Sequence, residues 1–98
     1  MTYQKEFPDF VLDVTLPEGF EDTSWHNDVC PSFTDTARKL ILWIDYADPD
    51  LREFPENHNR FLLDQLTDME DISTAKQLIK TADWSEVLAM LSKIEAPA

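Results

Sequence analysis

The run from Lys39 to Tyr46, Lys-Leu-Ile-Leu-Trp-Ile-Asp-Tyr, is the most apolar stretch of this chain and constrains its fold more than any other feature. It is short and rich in branched and aromatic residues, which favours a strand over a helix. Alternation makes both faces apolar almost to the end: one face carries Leu40, Leu42, Ile44 and Tyr46, and the other carries Ile41, Trp43 and Asp45. A strand covered on both sides is usually central, so this run predicts the middle of a small sheet.

Three further segments have strand-like patterns. Residues 10–16 alternate apolar and polar side chains, which predicts a half-buried strand. Residues 60–67 and 72–81 are predicted as two strands joined by an acidic hairpin loop at 68–71. Because Leu, Gln, Lys and Ala also favour helix, a helical hairpin across 60–81 is the alternative for this region.

Turn and loop signals separate these segments. Pro17-Glu18-Gly19, which contains the only glycine of the chain, predicts a turn after the first strand. Residues 20–37 have irregularly spaced apolar positions among polar ones, and we interpret them as a long ordered loop. The alternative is that this loop contains a short helix opened by Pro31 and Ser32.

The clearest helix is at the C-terminal end. Apolar residues recur at helical spacing from Trp84 to about Ile94, and Asp83 precedes them as an N-cap with Glu86 three residues on, close to a capping box. Asp48 is placed to cap a single turn that begins at Pro49. The predicted fold is therefore α+β: one domain over 1–98 with a three- or four-stranded antiparallel sheet, a C-terminal amphipathic helix on one face, and the long loop.

Composition excludes several classes of protein. The 98 residues include one cysteine, Cys30, which cannot form an internal disulfide and fits a reducing cytoplasm. No apolar run approaches the roughly 18 residues of a membrane span, and residues 1–8 contain no apolar h-region, so we expect neither a span nor export by a standard signal. A single glycine leaves no room for a glycine-rich phosphate loop, so nucleotide chemistry is not expected.

Net charge is the strongest global feature, because 20 acids against 8 bases give −12. This charge disfavours direct binding to nucleic acid or anionic membranes and attracts a basic protein partner. Acids two apart on a strand lie about 6.6 Å from each other, and acids three or four apart on a helix about 5 to 6 Å, spacings near those of nucleic-acid phosphates. The predicted partner-binding acids form two blocks: Glu18, Glu21, Asp22, Asp28 and Asp35, then Asp45, Asp48, Asp50, Glu53 and Glu56. A solvated surface that only keeps the protein soluble is the alternative interpretation.

One short segment carries chemical variety, with His26, Asp28 and Cys30 close together in the sequence. They could act as base, orienting group and nucleophile, but catalytic groups of this kind usually come from distant parts of a fold. His26, Cys30 and the distant His58 match no zinc-ligand spacing. We therefore expect no catalytic residue, no metal and no cofactor.

No family motif is present, and in size and acidity alone the chain resembles small inhibitors that imitate DNA, including anti-restriction and anti-CRISPR proteins, and acidic immunity or antitoxin proteins. The first hypothesis is a non-enzymatic binding protein that docks on the basic surface of a nucleic-acid-handling protein. The second is an adaptor or oligomerising protein that uses an aromatic patch of Trp25, Phe33 or Trp43. The third is a small Cys/His enzyme.

Overall fold

A computed structural model of the chain describes residues 2–54, 56, 58–68 and 75–94. Its elements follow in chain order, with one turn of 3-10 helix at Pro49–Leu51: α1 (Tyr3–Glu6), β1 (Glu21–Asp22), β2 (Ser32–Asp35), β3 (Leu40–Ile44), β4 (Phe61–Gln65), β5 (Lys76–Thr81) and α2 (Trp84–Ser92). The strands form one antiparallel sheet in the order β1-β2-β3-β4-β5. The α+β prediction is confirmed, but the sheet has five strands rather than three or four.

Strand β3 is central, as its apolar pattern predicts. Its register places Leu42 opposite Phe33 on β2 and Leu63 on β4, and all three side chains are fully buried. Directly opposed residues share a face of the sheet. This face, which we call the core face, therefore carries the continuous apolar layer.

The N-terminal segment and α2 cover the core face. Phe7 and Phe10 from the N-terminal segment and Val87 and Leu91 from α2 join the strand residues in one buried cluster. Burying a large apolar side chain stabilises a fold by about 1.5–3 kcal/mol, so this layer is the main stabilising element. The predicted packing of the C-terminal helix on one face of the sheet is thus observed.

The predicted strand at residues 10–16 is wrong, because no strand forms between α1 and β1. Burial does alternate there, with Leu12 and Val14 partly buried against the core and Val11 exposed. The segment lies over the sheet rather than within it. Its side chains therefore alternate between buried and exposed positions, as in a strand, although the segment pairs with no neighbouring strand.

The predicted long loop at 20–37 is also wrong, because it contains β1 and β2. Pro31 and Ser32 open no helix, and Ser32 begins β2. All four β2 residues are buried although three are polar. Their hydroxyl groups find partners, since Thr23 Oγ1 lies 3.0 Å from Ser32 Oγ and 2.8 Å from Thr34 Oγ1.

The strand interpretation of residues 60–81 is confirmed where the structure describes them, and the helical hairpin is wrong. β4 and β5 pair antiparallel, with a register irregularity between Leu63 and Asp64. The predicted hairpin loop at 68–71, apart from Asp68, and the predicted start of the second strand at 72–74 lie outside the described residues.

Helix α2 begins as predicted, with the Asp83 side chain accepting a hydrogen bond of 2.9 Å from the Ser85 backbone N–H. The near capping box does not form. The Asp83 N–H donates to Thr81 Oγ1 at 3.0 Å, and the Thr81 hydroxyl in turn donates to Glu86 Oε2 at 2.6 Å. Thr81 therefore stands between the two residues that the pattern was expected to join, and the helix ends at Ser92 rather than near Ile94.

Candidate binding site at the loop end of the sheet

The sheet has two unlike ends. We call one the turn end, formed by the 17–19 turn and the connection between β2 and β3. We call the other the loop end, formed by the connections at 23–31 and 45–60. Because β3 spans five residues, the two ends lie roughly 17 Å apart.

The structure divides the predicted acidic face between these two ends. Four acids lie outside the loop end, three toward the turn end and Asp22 at mid-sheet opposite Phe33, and six lie at the loop end, so the two sequence blocks do not merge into one surface. The first group is Glu18, Glu21, Asp22 and Asp35, and the second is Asp28, Asp45, Asp48, Asp50, Glu53 and Glu56.

Two acids of the first group are structural. Asp22 accepts hydrogen bonds from the backbone N–H of Tyr3 at 2.6 Å and of Ser24 at 3.0 Å, which ties the N-terminal segment to β1. Asp35 is buried and accepts from the Arg38 backbone N–H at 3.1 Å and from Arg38 Nε at 2.6 Å. Glu18 and Glu21 are exposed.

Arg38 joins the parts of the turn end. Its guanidinium donates to the Glu18 carbonyl at 3.3 Å and lies 5.6 Å from the centre of the Phe20 ring. Burial alone would raise the pKa of the Asp35 carboxyl, but the hydrogen bonds and charge of Arg38 outweigh it and hold that pKa below its ordinary value. The Asp35 charge is therefore neutralised inside the fold and is not part of a free surface.

The loop end carries an exposed acidic segment, which we call the acidic loop and define as residues 47–54 with Glu56. Asp48 accepts a hydrogen bond from the Asp50 N–H at 2.9 Å and caps the 3-10 turn as predicted. Asp50, Glu53 and Glu56 are exposed.

Two exposed apolar side chains interrupt the acids of this loop: Leu51 is 48% exposed and Phe54 is 54% exposed. The base in the loop, Arg52, turns toward the backbone, where Nε donates to the Tyr46 carbonyl at 2.7 Å. The outward surface is therefore both acidic and apolar.

A cleft of about 400 Å³ opens beside the base of the acidic loop. It lies over the face of the sheet opposite the core face, where Trp43 and Leu62 are only partly buried. Its lining comes from the 23–31 connection, the two ends of the 45–60 connection and β3 to β5: Asn27, Asp28, Val29, Cys30, Trp43, Asp45, Asn59, Arg60, Phe61, Leu62 and Lys80.

The carboxylates and the arginine in the cleft are not paired with each other. Arg60 donates from both terminal nitrogens to Asp13, which lowers the pKa of the Asp13 carboxyl, and its Nε donates to the Asp45 carbonyl at 2.8 Å. Burial raises the pKa of Asp28. Across the described ranges, neither Asp28 nor Asp45 has an ion-pair partner. No ion pair within the described ranges therefore balances the charge of either carboxylate.

The residues of the enzyme hypothesis do not converge. Asp28 and Cys30 line the cleft, but His26 does not, and its Nδ1 lies 3.5 Å from Glu6 Oε2. Burial and the charges of Asp45 and Asp28 raise the pKa of the Cys30 thiol, which keeps it protonated and a poor nucleophile. Nothing in this geometry activates Cys30.

The aromatic residues of the adaptor hypothesis have different environments. Phe33 is fully buried in the core and cannot form part of a docking patch. Trp25 is 42% exposed and contacts the His26 ring, and Trp43 forms part of the cleft. The sequence analysis missed the exposed Leu51 and Phe54, although both stand among charged residues where burial is not expected.

Lys80, Leu62 and Asn59 also join the cleft without having been predicted as site residues. Only strand register could have identified Leu62 and Lys80, since Trp43 lies opposite Leu62 and Leu62 opposite Lys80. Within the described part of the chain, no group of three or more His, Cys, Asp or Glu side chains is arranged to hold a metal ion. None of the described helices is long and apolar enough to cross a membrane.

Comparisons with known proteins leave the geometry as the only guide to function. No protein-family model, no curated protein and no solved structure matches this chain.

Proposed function

We propose that this chain is a non-enzymatic binding protein that docks on a basic surface of a protein partner through its loop end. The observation that carries this proposal is the acidic loop. There, the exposed acids Asp50, Glu53 and Glu56 stand beside the exposed apolar side chains of Leu51 and Phe54. Charge steers and orients a partner, while exposed apolar side chains supply area that is buried on docking.

Inhibition by imitation of nucleic acid is the finer form of this proposal. It is supported by the exposure of the acids along the loop and by the net charge of −12. In this form the partner surface is one that normally binds phosphates. Duplex DNA would then compete with this protein for the partner.

The test uses matched baits in lysate of the native host, at low salt and at about 0.5 M salt, where attraction between exposed charges is largely screened. The wild-type chain is compared with D50N/E53Q at the loop end and E18Q/E21Q at the turn end. Both doubles remove two exposed charges. We expect a basic partner to be retained by wild type and E18Q/E21Q, and to be lost from D50N/E53Q and at high salt.

Equal retention by all three baits would contradict docking through the acidic loop, and so would equal loss from both doubles, since the second result means that only total charge matters. Competition by added duplex DNA separates nucleic-acid imitation from other docking on a basic surface. A partner that resists DNA competition excludes the inhibitor form.

An apolar adaptor is the second candidate, and the exposure of Leu51 and Phe54 favours it. It predicts retention that survives high salt and is lost from L51S/F54S. A partner lost from L51S/F54S but kept by D50N/E53Q at both salt concentrations would establish this candidate over the first.

A further inference from the structure

The floor of the cleft is a row of side chains on the face of the sheet opposite the core face. Register places Ser32 opposite Trp43, Trp43 opposite Leu62, and Leu62 opposite Lys80. Neighbouring strands lie about 4.8 Å apart, so the backbones at Trp43 and Lys80 are roughly 10 Å apart. The partly buried Trp43 indole therefore has Leu62 as its neighbour on β4, and residues 27–30 of the 23–31 connection line the same cleft.

The charges in the cleft are arranged asymmetrically. Asp28 and Asp45 both lie close enough to Cys30 to act on its thiol, whereas Lys80 projects from the edge strand β5. Asp45 is 9% exposed, and one of its carboxylate oxygens accepts from the Tyr46 N–H at 2.8 Å. Among the described residues, its other oxygen and the Asp28 carboxylate have no hydrogen-bond partner.

Arg60 forms no ion pair with either of these carboxylates. Its terminal nitrogens are occupied by Asp13, and its Nε donates to a backbone carbonyl. The side of the cleft next to Trp43 therefore combines two acceptor groups, a negative charge and an aromatic surface. An organic cation fits this combination, because carboxylates pair with it and the indole face attracts it.

We propose that this cleft receives the guanidinium group of an arginine on the partner protein, between Trp43 and the carboxylates of Asp28 and Asp45. Guanidinium is favoured over ammonium because it is planar, stacks on aromatic rings and is more weakly hydrated. The identification of its source as a partner protein rests on the proposed function, whereas the chemistry of the cleft does not. The cleft then acts as the specific anchor beside the less specific acidic loop.

The test is a titration of the whole chain with the peptide acetyl-Gly-Arg-Gly-amide at low salt, observed through backbone and indole N–H signals in NMR spectra. The control peptide replaces arginine with citrulline, which has nearly the same shape but no charge. We expect saturable shifts of the Trp43 indole and the 27–30 backbone signals with the arginine peptide and none with the citrulline peptide. The Trp43 signal is assigned from the spectrum of W43F.

Two variants at opposite sides of the cleft test whether the affinity for the arginine peptide depends on local charge. D28N is expected to weaken binding of the arginine peptide about three- to fivefold, in the range of single partly exposed ion pairs. K80Q is expected to strengthen it about twofold, because it removes a repelling charge at an exposed position without disturbing the fold. E18Q at the turn end is the control and should change the affinity by less than K80Q does.

Equal shifts with the citrulline peptide, shifts confined to the acidic loop, or equal weakening by D28N and E18Q would each overturn the proposal. D50N/E53Q should leave binding of the arginine peptide within about twofold of wild type. If it does, and the host partner is also insensitive to D50N/E53Q, docking through the acidic loop has failed while the cleft stands. If the peptide does not bind but the partner is lost from D50N/E53Q, the cleft proposal alone has failed.

Discussion

Asp35 at the turn end and Asp28 at the loop end come from the same acidic block of the sequence, but their surroundings differ in kind. Asp35 is buried with its charge balanced by Arg38 at 2.6 Å, so its pKa is lowered. Asp28 is partly buried without an ion-pair partner among the described residues, so its pKa is raised. Arg38 thus ties the Asp35 carboxylate into the fold, whereas the Asp28 carboxylate has no base in the described part of the chain to do the same.

The largest effect that this comparison predicts is on stability. D35N should lower the free energy of unfolding by about 2–4 kcal/mol, because it leaves the Arg38 guanidinium without its carboxylate in a largely buried site. D28N should change it by less than about 1 kcal/mol. Urea unfolding of both variants at pH 7 measures the difference, and similar losses in the two would remove the distinction between the ends.

The difference in stability between wild type and D35N depends on pH because of the same Asp35–Arg38 pair. The lowered pKa means that the unfolded chain binds the Asp35 proton more tightly than the folded chain does. The contribution of the pair is therefore complete above the ordinary pKa of 3.8 and is lost as pH falls through the lower folded pKa. The stability difference between wild type and D35N should shrink below about pH 4.

The second prediction concerns Gly19, which supports the same pair from the neighbouring turn. Gly19 has a φ of 99°, and an added Cβ would lie 2.7 Å from Asp35 Oδ2. G19A should therefore cost about 1–3 kcal/mol, from backbone strain and from displacement of the carboxylate.

A double-mutant cycle separates the two contributions to the cost of G19A. The loss in G19A/D35N should be smaller than the sum of the single losses, because both substitutions act on the Asp35–Arg38 pair. Strict additivity, measured by urea unfolding, would show that the strain at Gly19 is independent of the pair.

The structure also shows which parts of the molecule could be predicted from its sequence. The central position of β3 was predictable because an apolar strand on both faces leaves few alternatives. β2 was missed because three of its four residues are polar. Their burial depends on hydroxyl partners, such as Thr23 for Ser32 and Thr34, that only the sheet brings together. At residues 10–16 the alternation correctly indicated which side chains are buried, but such a period does not require strand pairing.

For the candidate site, the sequence predicted only that it would be acidic, and not which acids would form it. Arg38 stands three residues after Asp35, so that pair was within reach of sequence reasoning. The Asp13–Arg60 pair spans 47 positions and was not. This second pair occupies the terminal nitrogens of Arg60, which therefore bind neither carboxylate of the cleft. Deciding which acids have a basic partner therefore required the positions of the bases in the fold, and these depend on strand register.

The third prediction is a small effect of opposite sign at Asp28. Its raised pKa means that the folded chain binds this proton more tightly than the unfolded chain, so the Asp28 charge costs stability as pH rises from about 4 through the folded pKa. D28N should remove this cost, and its stability relative to wild type should increase over that interval. Burial also raises the pKa of Asp64, so the difference between the two chains, rather than the wild-type curve, isolates Asp28. A difference that falls over the same interval would mean that Asp28 has a cationic partner in the folded protein.

The smallest predicted effect is on the stability of the acidic loop. D50N/E53Q and E18Q/E21Q should each change the free energy of unfolding by less than about 0.5 kcal/mol, because all four side chains are exposed. Since the chain carries −12, each double should be slightly stabilising at low salt, and this gain should vanish near 0.5 M salt as repulsion is screened. Urea unfolding at both salt concentrations measures it. If D50N/E53Q alone lowers the free energy of unfolding by more than about 1 kcal/mol, the loop acids stabilise the fold as Asp35 does. If both doubles raise it by the same small amount, the two ends differ in binding and not in their contribution to stability.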